Sequence, residues 1–190
     1  MTTDFAAARQ NMVESQVRTS DVTDPAIQAA MRKVPRESLC PPTSLALAYA
    51  DVEVPCGGGR FLMRPREVAK LLPALRPRAG ERALAIAAPY AAAVLEAMGL
   101  SVDRLEEAAL TPAAKDAYDV AVCEGAVAST PQAWIDALAV GGRLALVERS
   151  GAAGKARLYL MEADGVASRE VFDASPPYLP GFEPRPAFAF

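Results

Sequence analysis

The stretch that decides the fold runs Gly80-Glu81-Arg82-Ala83-Leu84-Ala85-Ile86-Ala87-Ala88-Pro89-Tyr90-Ala91-Ala92-Ala93-Val94-Leu95. It has the pattern of a short apolar strand, a tight turn and a helix. In nucleotide-binding α/β folds, the first such unit brings the polar groups of a cofactor to a helix N-terminus. The turn normally carries glycines, because the backbone must approach the ligand closely. Here the turn is Ala87-Ala88-Pro89, so the framework is present without its usual glycines.

The composition limits the class of protein. The chain has 190 residues, 52% of them hydrophobic, and a formal net charge of −3. We expect one domain over residues 1–190, with a helical segment and loop over 1–78 and an α/β core over 79–190. The mild acidity argues against a nucleic-acid partner. No apolar run approaches the roughly 18 residues that cross a bilayer.

Cysteine usage and the lack of histidine narrow the chemistry. With no histidine, Ser-His-Asp and Cys-His nucleophilic sites and histidine-ligated metal sites are excluded. Cys40, Cys56 and Cys123 are scattered and make no paired framework, so a structural zinc site is not expected either. Because the N-terminus also lacks the apolar region of a signal peptide, the expected location is the reducing cytoplasm.

Three helices are expected before residue 79. They cover Asp4 to about Arg18, a segment after the cap Asp24 that ends at Pro35, and a segment that opens at Pro65. The stretch 36–64, rich in proline and glycine, is expected to be irregular.

From Gly80 onward, strands and helices alternate. The pattern predicts strands over 83–87, 102–105, 118–123 and 143–147, and helices over 89–98 and from Thr130-Pro131 toward Gly141. An antiparallel pair, 157–162 and 166–172, follows around a turn at Asp164-Gly165. The expected architecture is a helical N-terminal segment packed against a mainly parallel sheet with an antiparallel end.

Several short motifs, in this order, resemble those of the protein-L-isoaspartate O-methyltransferase family. They lie in the first two helices, in the loop that leads to the family's active site, and near two later strands. The matching residues are Met12–Arg18, Ala30–Glu37, Ala48–Asp51, Gly57–Gly59, Tyr118–Val120 and Leu138–Leu144. The resemblance implies a Rossmann-like methyltransferase fold. In active members it implies S-adenosylmethionine-dependent methylation of isoaspartyl carboxylates in damaged proteins.

The chain departs from this family at functional positions. The family's cofactor turn runs Glu-Ile-Gly-x-Gly-x-Gly-Tyr, whereas the matching residues here run Ala85-Ile86-Ala87-Ala88-Pro89-Tyr90. Where the family has a catalytic serine two residues before a proline, this chain has Met63, which offers no useful hydrogen bond. About a dozen residues separate Leu105 from Tyr118, too few for the helix, strand and adenine-contacting turn that the family places there. No catalytic residue is therefore assigned.

The resemblance leaves Glu106 as the one residue expected to bind the cofactor. It follows the second strand of the α/β core, where the family's acid binds the ribose hydroxyls. The alternative is that Glu106 and Glu107 cap or solubilise the next helix. The triple glycine Gly57–Gly59, one of the matching motifs, is either a phosphate cradle or a flexible loop. Cys56 beside it is the one cysteine with a claim to reactivity.

These observations predict a methyltransferase-like protein that has lost S-adenosylmethionine binding and catalysis. No cofactor and no metal are then expected. Its partner would be another protein, or a second copy bound through the apolar N-terminal helices. The alternative is an active S-adenosylmethionine-dependent protein-L-isoaspartate, or related carboxyl, O-methyltransferase with an altered cofactor site. A third possibility is a cavity that binds a different small ligand.

Overall fold

A computed structural model describes residues 4–106 and 109–185 of the chain. Its centre is a sheet of six strands in the order β4-β3-β5-β6-β7-β8. Strands β4, β3, β5 and β6 run parallel to one another, and β7 and β8 extend the sheet in antiparallel fashion. A separate two-stranded hairpin, β1 and β2, lies between the N-terminal helices and the sheet in the sequence. The mainly parallel sheet with an antiparallel end is as predicted.

The helices and strands have the following bounds. The helices are α1 (Phe5–Met12), α2 (Pro25–Lys33), α3 (Pro65–Leu75), α4 (Pro89–Ala97) and α5 (Gln132–Asp136). The strands are β1 (Val54–Gly57), β2 (Arg60–Leu62), β3 (Arg82–Ile86), β4 (Ser101–Leu105), β5 (Tyr118–Val127), β6 (Leu138–Ser150), β7 (Ala153–Glu162) and β8 (Gly165–Asp173). None of the described helices is long and apolar enough to cross a bilayer.

The first two helices begin where their caps predict. The Asp4 carboxylate accepts from the Ala7 amide, and the Asp24 carboxylate accepts from the amides of Ala26 and Ile27. Each cap satisfies a backbone donor that the helix itself leaves unpaired. Beyond α1 the chain stays helical through a π-helical turn, Val13–Val17, and a 3₁₀ turn, Arg18–Ser20. The predicted helix from Asp4 to about Arg18 is therefore correct in extent.

The stretch 36–64 is more regular than the sequence predicts. It contains two 3₁₀ segments, Arg36–Leu39 and Pro42–Leu47, and then the β1–β2 hairpin. The three glycines that close the hairpin all have positive φ, at 90°, 60° and 76°. Residues that have a Cβ rarely adopt such backbone angles. The triple glycine thus makes a hairpin turn, where the sequence left a phosphate cradle and a flexible loop as alternatives.

The two faces of the sheet carry separate hydrophobic clusters. Helices α1 to α4 cover one face, where β3 presents the small residues Ala83 and Ala85. On the opposite face β3 presents Leu84 and Ile86, which belong to a cluster around Trp134 of α5. This alternation follows from the two-residue period of a strand. Trp134 is buried and its indole N–H donates to the carbonyl of Leu110 at 2.7 Å, so it is a core residue.

The proline-rich segment after β8 lies across the carboxyl end of β5. The Ala126 N–H donates to the Pro177 carbonyl at 2.9 Å, and the Leu179 N–H donates to the Ala126 carbonyl at 2.8 Å. Farther along, the ring of Phe182 lies 5.3 Å from that of Trp134, centroid to centroid. This segment is irregular, but its backbone and aromatic contacts fix it to the sheet.

Candidate functional site

The turn between β3 and α4 contains only Ala87 and Ala88, and both are buried. Ala87 has φ of 46°, in the left-handed region that costs an L-residue about 1–2 kcal/mol. Its N–H donates to the carbonyl of Leu105 at the end of β4, at 2.9 Å. Helix α4 then begins at Pro89, as the sequence predicts. The turn is therefore short, strained at one residue and hydrogen-bonded to the neighbouring strand.

A buried glutamate occupies the N-terminus of α4. The Glu124 carboxylate, on β5, accepts a hydrogen bond from the Ala91 N–H at 2.6 Å and is fully buried. The backbone amides of Tyr90 and Met63 also act on this carboxylate. A helix N-terminus carries unpaired N–H groups and a partial positive charge, which make it an anion-binding position. In this chain its own carboxylate fills that position.

The ionisation of Glu124 reflects two opposing effects. Burial raises the pKa of its carboxyl, while the backbone amide donors and the charge of Arg36 act to lower it. The net direction is upward. Desolvation of a charge thus outweighs the hydrogen bonds that stabilise it.

Arg36 and Tyr90 complete a buried polar cluster with Glu124. The Arg36 side chain donates to the carbonyl of Ala48 through Nε at 2.8 Å and to that of Met63 through Nη2 at 2.6 Å. Its Cζ lies 4.6 Å from the centroid of the Tyr90 ring. Within the described part of the chain, Arg36 Nη1, Tyr90 Oη and Glu124 Oε2 have no hydrogen-bond partner. Burial also raises the pKa of the Tyr90 phenol, which keeps it neutral.

Met63 lies where the family resemblance places a catalytic serine. Its side chain is 1% exposed and belongs to the hydrophobic cluster under the helices. Its carbonyl is held by Arg36. The position is therefore built into the core and carries no side-chain hydrogen-bonding group.

Glu106 lies beside the Ala87–Pro89 turn, at the rim of a 180 Å³ cavity. Its Oε2 pairs with Arg60 Nη2 at 2.8 Å, and Arg60 Nη1 also donates to the Glu106 carbonyl at 3.2 Å. The cavity is lined by Leu39, Cys56, Gly57, Arg60, Phe61, Leu62, Ala87, Pro89 and Glu106. Residues 106 and 109–117 form neither helix nor strand, and Glu107 lies outside the described residues. The ribose-binding role of Glu106 stays a prediction.

Cys56 has no sign of activation. Burial raises the pKa of its thiol, and its Sγ lies 3.4 Å from the carbonyl oxygen of Val54. A thiol with a raised pKa supplies less of the reactive thiolate at neutral pH. Cys56 therefore lines the cavity as an unreactive, apolar residue.

Sequence reasoning missed the Arg36–Tyr90–Glu124 cluster. Arg36 and Glu124 are 88 positions apart in the numbering, so no local spacing links them. The one available signal was an acid directly after the apolar run of β5, at the carboxyl end of a parallel strand. Such ends are where α/β proteins place functional groups.

Comparison with proteins of known structure first defines the class. The fold matches that of a Plasmodium falciparum protein assigned as a protein-L-isoaspartate O-methyltransferase, in complex with S-adenosyl-L-homocysteine. The TM-score is 0.71 at 14% identity, over 90% of this chain and 97% of that one. A second protein-L-isoaspartate O-methyltransferase structure gives a TM-score of 0.68 at 16% identity. It covers 91% of this chain and 66% of the other. The chain thus has the predicted Rossmann-like methyltransferase fold.

Sequence comparison then points to the particular family. No family model matches the chain. Curated relatives named protein-L-isoaspartate O-methyltransferase match with 43% identity over 106 residues in Rhodopseudomonas palustris and 43% over 115 residues in Methylorubrum extorquens. A relative of that name in Methanoculleus marisnigri is 34% identical over 143 residues, 70% of this chain and 65% of the relative. These matches support membership of the protein-L-isoaspartate O-methyltransferase family and confirm the resemblance carried by the motifs.

The matches cover only part of this chain and part of each relative. The first two relatives match over 55% and 59% of this chain, which spans 43% and 50% of their own lengths. The chain thus spans about half the length of these curated relatives.

The comparisons correct one prediction. The sequence led us to expect no cofactor, because the glycine turn is absent. The relatives are named methyltransferases, and the Plasmodium falciparum neighbour is a complex with S-adenosyl-L-homocysteine. The expectation of no cofactor is therefore wrong: a local motif was given more weight than the fold that surrounds it.

Proposed function

We propose that this chain is a protein-L-isoaspartate O-methyltransferase-like protein that acts by binding rather than by methyl transfer. An S-adenosyl compound binds in a changed position at the carboxyl ends of β3 and β4. The observation that carries the proposal is the buried Glu124 carboxylate on the N-terminus of α4. A second anionic group brought to the same amides would meet a carboxylate already in place.

The residues present fit an S-adenosyl compound in part. Glu106 at the cavity rim supports contact with ribose hydroxyls, because its carboxylate can accept from them. The cavity volume of 180 Å³ is below the roughly 300 Å³ at which ligand pockets begin. The adenosine end is therefore the part expected inside the cavity, with the amino-acid end displaced from α4.

Met63 supports the loss of methyl transfer. In an active site, a side chain that orients the acceptor carboxylate needs a hydrogen-bonding group, and orientation supplies much of the rate for a simple group transfer. The Met63 thioether supplies no such group and is buried in the core. A substrate carboxylate would have no partner at this position.

Binding and catalysis are measured separately in one experiment. Isothermal titration calorimetry with S-adenosyl-L-homocysteine tests the ligand, and labelled S-adenosylmethionine with an isoaspartyl peptide tests methyl transfer. We expect saturable binding and no methyl ester above the buffer background. Glu106→Gln weakens the binding about tenfold or more, since a hydrogen bond to a charged group contributes about 1.5–3 kcal/mol.

Glu96→Gln is the matched control. Glu96 is also a half-exposed acid paired with an arginine, Arg104, at 2.8 Å, but it does not line the cavity. Its loss should leave the affinity unchanged. Equal weakening by both variants, or absence of any binding heat at millimolar ligand, contradicts the assigned cofactor position.

A second candidate function is an active S-adenosylmethionine-dependent carboxyl O-methyltransferase with an altered cofactor site. The names of the relatives and the place of Glu106 beside the turn favour it. Methyl ester formation on the isoaspartyl peptide, dependent on both peptide and cofactor, would establish this candidate and overturn the first.

A protein partner is part of the first proposal. The apolar residues that suggested self-association through the N-terminal helices, among them Val13, Val17 and Ile27, are fully buried within the chain. They are therefore not available to a second copy, and another protein is the favoured partner. Sedimentation velocity at micromolar concentration tests this, with a monomer as the expected result and a stable dimer as the contradicting one. The three unpaired cysteines agree with the proposed cytoplasmic location.

A further inference from the structure

A second, larger cavity opens at the opposite end of the parallel strands. Its volume is 420 Å³, within the range of small-molecule sites. The end of α3, the residue before β3, the start of β6 and the outer strands β7 and β8 form its wall. The lining residues are Ala74, Leu75, Arg76, Arg78, Glu81, Gly141, Arg143, Leu158, Leu160 and Arg169.

Arg143 is a structural part of this wall. Its guanidinium pairs with Glu81 at 3.0 Å and donates to the carbonyls of Leu75 at 2.9 Å and Arg76 at 2.9 Å. It also donates to the Asp119 carbonyl at 3.0 Å. With its donors used in this way, Arg143 fixes the end of α3 to the sheet. Its charge is compensated by Glu81.

Three other arginines bring uncompensated charge to the cavity. Arg76, Arg78 and Arg169 are exposed, and none of them forms an ion pair within the described residues. The lining therefore holds four arginines against one glutamate, a surplus of three positive charges, in a chain whose formal net charge is −3. A concave wall of one sign focuses the field and concentrates ligands of the opposite sign.

The floor of the cavity is apolar. The half-buried residues Leu158 and Leu160 line it from β7. A ligand with clustered negative charge alone would leave these leucines in water. A ligand that also carries a nonpolar body would cover them and gain the free energy of apolar burial.

We infer that this cavity binds a small organic diphosphate, with its phosphoryl groups on Arg76, Arg78 and Arg169 and its nonpolar body on the leucines. Guanidinium groups match phosphate geometry through paired N–H donors, which favours phosphoryl groups. The inference is independent of the proposed function, because none of the cavity residues belongs to the Glu106 or Glu124 sites.

Titration calorimetry with geranyl diphosphate, inorganic pyrophosphate and geraniol separates the two parts of the ligand. We expect geranyl diphosphate to bind saturably below millimolar concentration and pyrophosphate about tenfold more weakly, with no measurable binding of geraniol. The double variant Arg78→Gln/Arg169→Gln weakens geranyl diphosphate about tenfold or more. Both side chains are exposed, so the fold should be retained, which circular dichroism verifies.

The control variant is Arg18→Gln/Arg104→Gln, which removes the same number of positive charges outside the cavity lining. It should leave the affinity unchanged. The inference is overturned if both double variants weaken binding equally, because general charge attraction would then account for it. It is also overturned if pyrophosphate and geranyl diphosphate bind equally, or if neither produces heat at millimolar concentration.

Discussion

The two ends of the parallel strands differ in whether their positive charge is compensated by carboxylates of the chain. At the carboxyl ends, where open α/β sheets usually bind ligands, the N-terminus of α4 is filled by the buried carboxylate of Glu124. At the amino ends, an open 420 Å³ cavity carries arginines without carboxylate partners among the described residues. At the carboxyl ends, a carboxylate of the chain itself occupies the anion-binding position. At the amino ends, the arginine charges are free to bind an anionic ligand. The usual ligand-binding face of this fold is thus the more closed of the two.

The closed end depends most on Glu124. Replacing it by alanine removes the acceptor for the Ala91 N–H and leaves the Arg36 charge without its buried counterpart. Each buried donor left unpaired costs about 1–3 kcal/mol, so we expect Glu124→Ala to lower the free energy of unfolding by about 3 kcal/mol. Urea denaturation monitored by circular dichroism measures the change. Glu96→Ala, at an exposed acid, is the control, and similar losses in both variants would contradict the structural role of Glu124.

A fully buried acid, Glu124, and a half-buried one, Glu148, have pKa shifts in opposite directions, so the pH dependence of stability distinguishes them. Burial raises the pKa of Glu124, so its protonated form is favoured in the native state and stability falls as pH rises from the unfolded pKa to the native one. Burial also acts on Glu148, but hydrogen bonds from Thr130 and Tyr159 outweigh it and lower its pKa, so its contribution is lost as pH falls.

The measurement compares unfolding free energies between pH 4 and pH 7 for the parent chain, Glu124→Gln and Glu148→Gln. Relative to the parent, we expect Glu124→Gln to gain stability as pH rises and Glu148→Gln to lose it. The size is about 1.4 kcal/mol for each unit of pKa shift. Slopes of the same sign for the two variants would show that one of the assigned directions is wrong.

Both ends of the sheet also show what the sequence could and could not predict. Local signals were sufficient for α4, because Pro89 begins it, and for the first two helices, because Asp4 and Asp24 cap them. The resemblance gave the fold. The Arg36–Glu124 cluster and the arginine cavity are each assembled from elements far apart in the chain, and no spacing encodes such contacts. The predicted absence of a cofactor failed for the related reason that it rested on one local turn.

The Ala87 turn offers a smaller test of how the closed end is built. Ala87 has φ of 46°, whereas Ala88 has φ of −124°. Ala87→Gly relieves about 1–2 kcal/mol of left-handed strain and loses about 0.5–1 kcal/mol through the greater freedom of the unfolded chain. We expect a net gain of about 0.5 kcal/mol in urea denaturation. Ala88→Gly, which relieves no such strain, should instead destabilise by about 0.5–1 kcal/mol. If both glycines destabilise equally, the turn is not strained at Ala87.

The smallest effect is expected at the Arg60–Glu106 pair, which lies at the rim of the 180 Å³ cavity. The two side chains are 29% and 42% exposed, so solvent screens their attraction. Exposed pairs couple by about 0.2–1 kcal/mol, and a double-mutant cycle with Arg60→Gln and Glu106→Gln should give about 0.5 kcal/mol in stability. The pair therefore does little to hold the fold, which is what a carboxylate kept for a ligand requires. A coupling above about 2 kcal/mol, of the size measured when buried pairs are broken, would instead make Glu106 a structural residue like Glu124. The contrast between the two acids would then be lost.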